Sequence, residues 1–129
     1  MRHPPEQLGV YNLLIKERMM GCYTAVYVWR GCADFVRGAS AHAVSSGLLA
    51  GRMGNKGGVG ISVMLGTTRL LFINAHLAAH ANRIDARIAN IEKIKAELNV
   101  NTFLPPDHPH LDKRDITKNL SLIHISEPT

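Results

Sequence analysis

Two histidines, His76 and His80, stand four residues apart just after a run of β-favouring residues, and twenty residues before His76 lies Lys56, in a glycine-rich stretch with Asn55. An imidazole at the end of a buried strand is rigidly held and faces the cleft that strand ends line, where it can serve as acid, base or phosphate donor. Glycines let backbone N–H groups converge on an anion, and a lysine beside them adds charge for a phosphate. Plainer readings stand next to these: a histidine bonded to a core carbonyl, and a Gly-Gly pair that bulges the start of a strand. The stretch is not a Walker loop, because no Gly-Lys-Ser/Thr occurs and it leads into a strand instead of a helix. It fails the dinucleotide fingerprint for the same topological reason. On a helix His76 and His80 would share a face, but the Glu of His-Glu-x-x-His is missing and His76 directly follows a strand. A two-histidine zinc site is therefore not expected.

The charge pattern around these residues is one-sided. Fifteen Lys and Arg against ten Asp and Glu give the 129 residues a net charge of +5. From Phe35 through Ile84 there is no carboxylate, while Arg37, Arg52, Lys56, Arg69 and Arg83 all fall there, with His42, His76 and His80. A gap in the acids can arise by chance, but next to a glycine stretch and a strand-end histidine it reads as an anion site. Nucleic acid, phospholipid and small phosphorylated molecules fit that charge equally well. With 46% hydrophobic and 19% charged residues, a long disordered chain is excluded. Cys22 and Cys32 read as two buried thiols of a reducing compartment. The first residues lack a leader's apolar core, and no stretch reaches the ~18 apolar residues of a membrane span, so a soluble or membrane-peripheral protein is expected.

The elements that must position these residues follow from the hydrophobic pattern. Residues 8–20 carry apolar positions at mixed spacing and fit either a short helix or a strand with a turn. Residues 22–29 are apolar and β-favouring on both alternating sets, which predicts a strand buried on both faces inside a layered α/β protein. Residues 38–51 are small and polar without periodicity and read as a connection. Residues 61–65 and 69–74, joined by Gly66-Thr67-Thr68, predict a β-hairpin. Ile84, Ile88, Ile91, Ile94 and Leu98 then step by three or four and predict a helix with one stripe against a core, Arg83, Arg87, Glu92, Lys93 and Glu97 on its flanks. Asn101 and the pair Pro105-Pro106 end it. Beyond that point the chain reads as a loop or frayed terminus.

Two motifs give these elements a family. Gly-Asn-Lys-Gly-Gly-Val at 54–59, then a strand, then Phe-Ile-Asn-Ala-His-Leu-Ala-Ala-His at 72–80 resembles the inositol polyphosphate 5-phosphatase family, whose catalytic domains carry Gly-Asn-Lys-Gly-Gly-Val followed by Phe-Val-Asn-Ser-His-Leu-Ala-Ala-His. Ala75 stands where that family usually has Ser. Residues 21–30 and 83–98 look like the strand and helix flanking the motifs there, and 103–109 resembles an insert of fungal members. The resemblance covers roughly residues 8–120.

The resemblance implies the fold and the chemistry. The fold would be an incomplete piece of a four-layer α/β sandwich, two packed mixed β-sheets flanked by helices, of the endonuclease/exonuclease/phosphatase superfamily. The reaction would be hydrolysis of the 5-phosphate monoester of phosphoinositides or inositol phosphates, with His76 contacting the scissile phosphate and Asn55 and Lys56 binding substrate. Such chemistry wants a divalent ion to offset phosphate charge, a base for water, and donors around the phosphoryl oxygens. The family's cofactor is Mg2+, and its ligands are expected outside these residues. The family's metal-binding Glu and its Gly-Asp-Leu-Asn, Trp-Cys-Asp-Arg and Ser-Asp-His segments have no counterpart here, so the chain is expected to be a central fragment, inactive alone. The implied partners are a phosphoinositide or inositol phosphate and a peripheral membrane surface, not nucleic acid, and the implied location is the cytoplasm. A non-catalytic phosphate-binding remnant and a related metal-dependent nuclease are the alternatives. Residues 121–129 do not continue the pattern and are expected to be an extraneous tail, which removes His124 from any site.

Overall fold

The computed structural model describes residues 7–46, 48–49, 52–53, 56–109 and 121–126. In chain order the elements are β1 (Gln7–Leu8), β2 (Tyr11–Met19), β3 (Cys22–Trp29), a 3₁₀ turn (Arg30–Phe35), β4 (Val36–Ser45), β5 (Leu48–Leu49), β6 (Arg52–Met53), β7 (Gly57–Leu65), β8 (Thr68–His76), α1 (Ile84–Glu97) and β9 (Ser121–Ser126). β1, β2 and β3 form an antiparallel sheet, and β4, β7, β8 and β9 form a second sheet in that order, with β9 running parallel to β8. β5 and β6 pair with each other as a small separate ribbon.

The two larger sheets pack face to face, and α1 covers the other face of the second sheet. Alternation along β8 sorts its side chains between these two interfaces. Leu71, Ile73 and Ala75 join Val44, Ile94, Leu98 and Val100 in the core under α1. Asn74 points the opposite way, and its Nδ2 donates to the Tyr23 carbonyl on β3 at 3.1 Å. Met19, Cys22 and Val59, with Ala43 against them, fill the space between the sheets.

The hairpin expected around residues 66–68 is present, in register from Leu65↔Thr68 to Gly57↔His76. Residues 8–20 resolve to a strand, whose register shift between Leu13 and Ile15 marks a bulge. Residues 22–29 form a strand too, but on an antiparallel sheet and not buried on both faces. Cys22 turns inward, while Tyr23 and Trp29 are exposed. Apolar residues of both sets had suggested burial, and a solvent-facing aromatic row is compatible with the same pattern.

The largest departure lies at residues 38–51, read as a connection. Most of its first half belongs to β4, paired with β7 from Val36↔Leu65 to Ser45↔Gly57. Ala, Ser and Gly carry little strand preference, so local sequence hides the strand, and cross-strand pairing creates it. Small side chains suit the place, because the chain after α1 lies across this strand at short range. The Asn99 N–H donates to His42 Nδ1 at 3.0 Å, the Asn101 N–H donates to Ser40 Oγ at 3.1 Å, and the Phe103 ring lies over Gly38. These contacts step by two on both sides and hold residues 99–103 in place.

α1 also differs from its expected single buried stripe. Ile94 is 2% exposed, whereas Ile84, Ile88 and Ile91 are 57%, 53% and 37% exposed. Only the C-terminal half of the stripe rests on the second sheet. The expectation of a frayed chain from residue 101 onward is likewise corrected at 121–126, where β9 lies along β8 in register from Leu70↔Ser121 to Ala75↔Ser126. Among the described residues no helix is long and apolar enough to cross a membrane.

Candidate active site

His76 is the last residue of β8, on the same strand face as Asn74, and is therefore directed towards the side of the first sheet. Its register partner on β7 is Gly57. The residue before that glycine is Lys56, and its Nζ donates to His76 Nε2 at 2.7 Å in a half-buried setting. An ammonium has donors only, so Nε2 is the lone-pair nitrogen in this contact and the ring proton sits on Nδ1. A cation and a polar ring thus converge at one strand end within a stretch of chain that has no carboxylate. That arrangement suits a phosphate and disfavours a divalent cation held alone.

The glycines around Lys56 serve packing. At Gly57 the backbone adopts φ +151°, and a Cβ there would run into the Val44 carbonyl and the Met19 thioether. On the opposite face of β7, Gly58 and Gly60 lie directly beneath Ile94 and Leu98 of α1. The described part of the glycine stretch is therefore a close-packed strand start instead of an open anion cradle, and its contribution to an anion site is the direction in which it sends Lys56. Asn55 lies outside the described residues.

A second layer holds this pair in place, and sequence reasoning did not find it. Ser46, 4% exposed at the end of β4, donates its N–H to the Lys56 carbonyl at 2.7 Å, which closes the neck of the segment containing β5 and β6. Asn90 of α1 donates from Nδ2 to Ser46 Oγ at 2.7 Å and accepts at Oδ1 from the Ala78 N–H at 3.0 Å. Arg87 donates from Nη1 to the His80 carbonyl at 2.6 Å and reaches the carbonyls of Ala78 and Ala81 at 3.4 Å. Arg87 had been read only as a flanking charge and Ser46 as part of a connection. The available signal was Asn90 itself, a residue of poor helix preference in mid-helix, three positions after an arginine.

The two histidines part company. His76 ends the strand, whereas His80 sits exposed on the following loop with φ +75°, its carbonyl held by Arg87. Asn74 Oδ1 is buried without a hydrogen-bond partner among the described residues, as is Thr24 Oγ1. No group of three or more His, Cys, Asp or Glu side chains among the described residues is arranged to hold a metal ion. The described residues thus do not form a divalent-ion centre by themselves.

The structure thus pairs a two-sheet α/β framework with a Lys–His contact at a strand end. The chain belongs to Endonuclease/Exonuclease/phosphatase family 2, whose profile matches residues 3–123. It is 32% identical over 100 residues to the type II inositol 1,4,5-trisphosphate 5-phosphatase of Mus musculus, covering 77% of this chain and 10% of that protein. It is also 32% identical over 88 residues to synaptojanin-1 of Homo sapiens, covering 68% of this chain and 6% of that protein. Among solved structures it resembles the inositol polyphosphate 5-phosphatase domain of SPsynaptojanin, crystallised with inositol (1,4)-bisphosphate and calcium. The TM-score is 0.64 at 26% identity, over 70% of this chain and 26% of that one. The sequence thus spans about a tenth of the mouse relative and a quarter of the solved domain.

Proposed function

We propose that this chain is the phosphate-gripping centre of an inositol polyphosphate 5-phosphatase, a phosphoric monoester hydrolase that removes the 5-phosphate from inositol phosphates or phosphoinositides. His76 contacts the scissile phosphate, Lys56 offsets its charge, and Asn55 contributes to substrate binding. The observation that carries this reading is the 2.7 Å Lys56–His76 contact at the end of β8. The relatives' names, and the inositol bisphosphate held by the solved domain, support the substrate class. The calcium of that domain supports a divalent ion, which we take to be Mg2+ with ligands outside the described residues. Without such an ion and a base for water the 129-residue chain binds phosphate esters and does not turn them over.

Calorimetric titration with inositol 1,4-bisphosphate, beside a phosphate-release assay on inositol 1,4,5-trisphosphate with Mg2+, tests both statements. Expected are binding that weakens about tenfold or more in His76→Ala and in Lys56→Met, since each loses a charge-assisted contact, and no release. Binding indifferent to both substitutions overturns the site. Phosphate release abolished by His76→Ala would instead show that the chain is competent alone.

A further inference from the structure

We propose that Asn90 is a positioning residue for the Lys56–His76 pair, its carboxamide clamping the segment that leaves His76 to the neck of the segment that delivers Lys56. The chain of bonds is continuous. The Ala78 N–H donates to Asn90 Oδ1, Asn90 Nδ2 donates to Ser46 Oγ, and the Ser46 N–H donates to the Lys56 carbonyl. Ala78 lies two residues after His76, so the Lys56–His76 contact closes the circuit on its other side. A backbone N–H can only donate, which fixes the orientation of the amide and leaves Nδ2 for the serine oxygen.

The clamp joins parts far apart in sequence, 12 residues from Asn90 to Ala78 and 44 to Ser46. The β4–β7–β8 ladder ends at Ser45, Gly57 and His76, and just past it the Asn90 side chain adds a tie between Ala78 and Ser46. Arg87 pins the same loop by its carbonyls, one helical turn away. An Asn inside a helix is less favourable than Ala, and here both ends of its side chain are used. An Asp at this position keeps both contacts, because one oxygen accepts from Ala78 N–H and the other accepts from a rotated Ser46 hydroxyl. A Leu keeps neither.

The functional consequence rests on the reading of His76 and Lys56 as a phosphate site, but the structural role is measurable without it. In the unliganded chain, Asn90→Leu is expected to speed Ala78 amide exchange about tenfold relative to the amides of the β7–β8 ladder, as for one lost hydrogen bond. The His76 Nε2 nitrogen-15 resonance is expected to move away from its lone-pair position, and Asn90→Asp is expected to restore both. Affinity for inositol 1,4-bisphosphate falls in Asn90→Leu. Exchange rising equally at Ala78 and in the ladder, an unmoved His76 resonance, or an Asp variant whose Ala78 exchange matches that of Leu overturns the proposal. If Asn90→Leu loses its dispersed spectrum, Ser46→Ala carries the test, and an unchanged His76 resonance there overturns it too. Absence of binding in the wild-type chain sinks the phosphate reading alone, since exchange and imidazole shifts still decide the role of Asn90.

Discussion

Replacing Gly60 by Ala probes the contact that seats α1, and with it Asn90 and Arg87, on the second sheet. Gly60 stands opposite His42 of β4 and Ile73 of β8, on the strand face that meets the helix. A Cβ built there comes within 3.0 Å of Leu98 Cγ, and closer still to its two methyl groups. Leu98 is 3% exposed among Val44, Leu71, Ile73, Ala75, Ile94 and Val100, so it has no free direction in which to turn. Either the helix end lifts from β7 or Leu98 leaves its rotamer, and such overpacking costs about 1–3 kcal/mol. Leu98→Ala alone opens a cavity and costs about 2–5 kcal/mol. In the double variant the new methyl group occupies the vacated space, so the combined loss falls short of the sum by roughly 1–3 kcal/mol. Urea unfolding of the four proteins measures this, with Gly60→Ala lowering the midpoint by about 1 M for a chain of this size. Additivity within about 0.5 kcal/mol would refute the contact and the seating of the helix with it.

Further predictions concern the uneven burial of α1 and one buried hydroxyl. Ile94→Ala is expected to lower stability by about 2–5 kcal/mol, whereas Ile88→Ala, on the exposed half of the same stripe, stays within about 0.5 kcal/mol; equal losses in chemical denaturation would show the stripe buried throughout. Ser62 is fully buried on β7 with no partner for its hydroxyl among the described residues. Ser62→Ala should therefore raise stability by about 1 kcal/mol by removing a desolvated polar group, and a clear loss in the same unfolding assay would reveal a bond this structure does not show.

The hairpin and α1 were legible because their patterns are local: a Gly-Thr turn between apolar runs, and isoleucines spaced at a helical period. β4 was not, because Arg37-Gly-Ala-Ser-Ala-His42 has no strand preference of its own and becomes a strand by pairing with β7. β9 was hidden for another reason: residues 121–129 do not continue the family pattern and read as an extraneous tail, yet 121–126 pair with β8, some fifty residues earlier. The candidate site divides along the same line. His76 and Lys56 stood out by type and motif, while Ser46, Arg87 and Asn90 are ordinary polar residues whose role comes from where their partners lie.

By itself the sequence supplied candidates, an acid-free window, a strand-end histidine and a lysine ahead of paired glycines, and its two motifs supplied the family whose chemistry the resemblance implies. Tertiary structure decided how those residues are used. It turned Gly58 and Gly60 into seats for Ile94 and Leu98, where an open loop had been one reading. It set Lys56 against His76 at 2.7 Å, next to the register pair Gly57↔His76. It also gave α1 a second task, since one face of that helix packs on the sheet while Asn90 and Arg87 hold the residues that follow His76. Spacing along a chain fixes which neighbours are possible, but contacts between segments 12 to 44 residues apart depend on the register of strands and the seating of a helix, which only the assembled fold supplies.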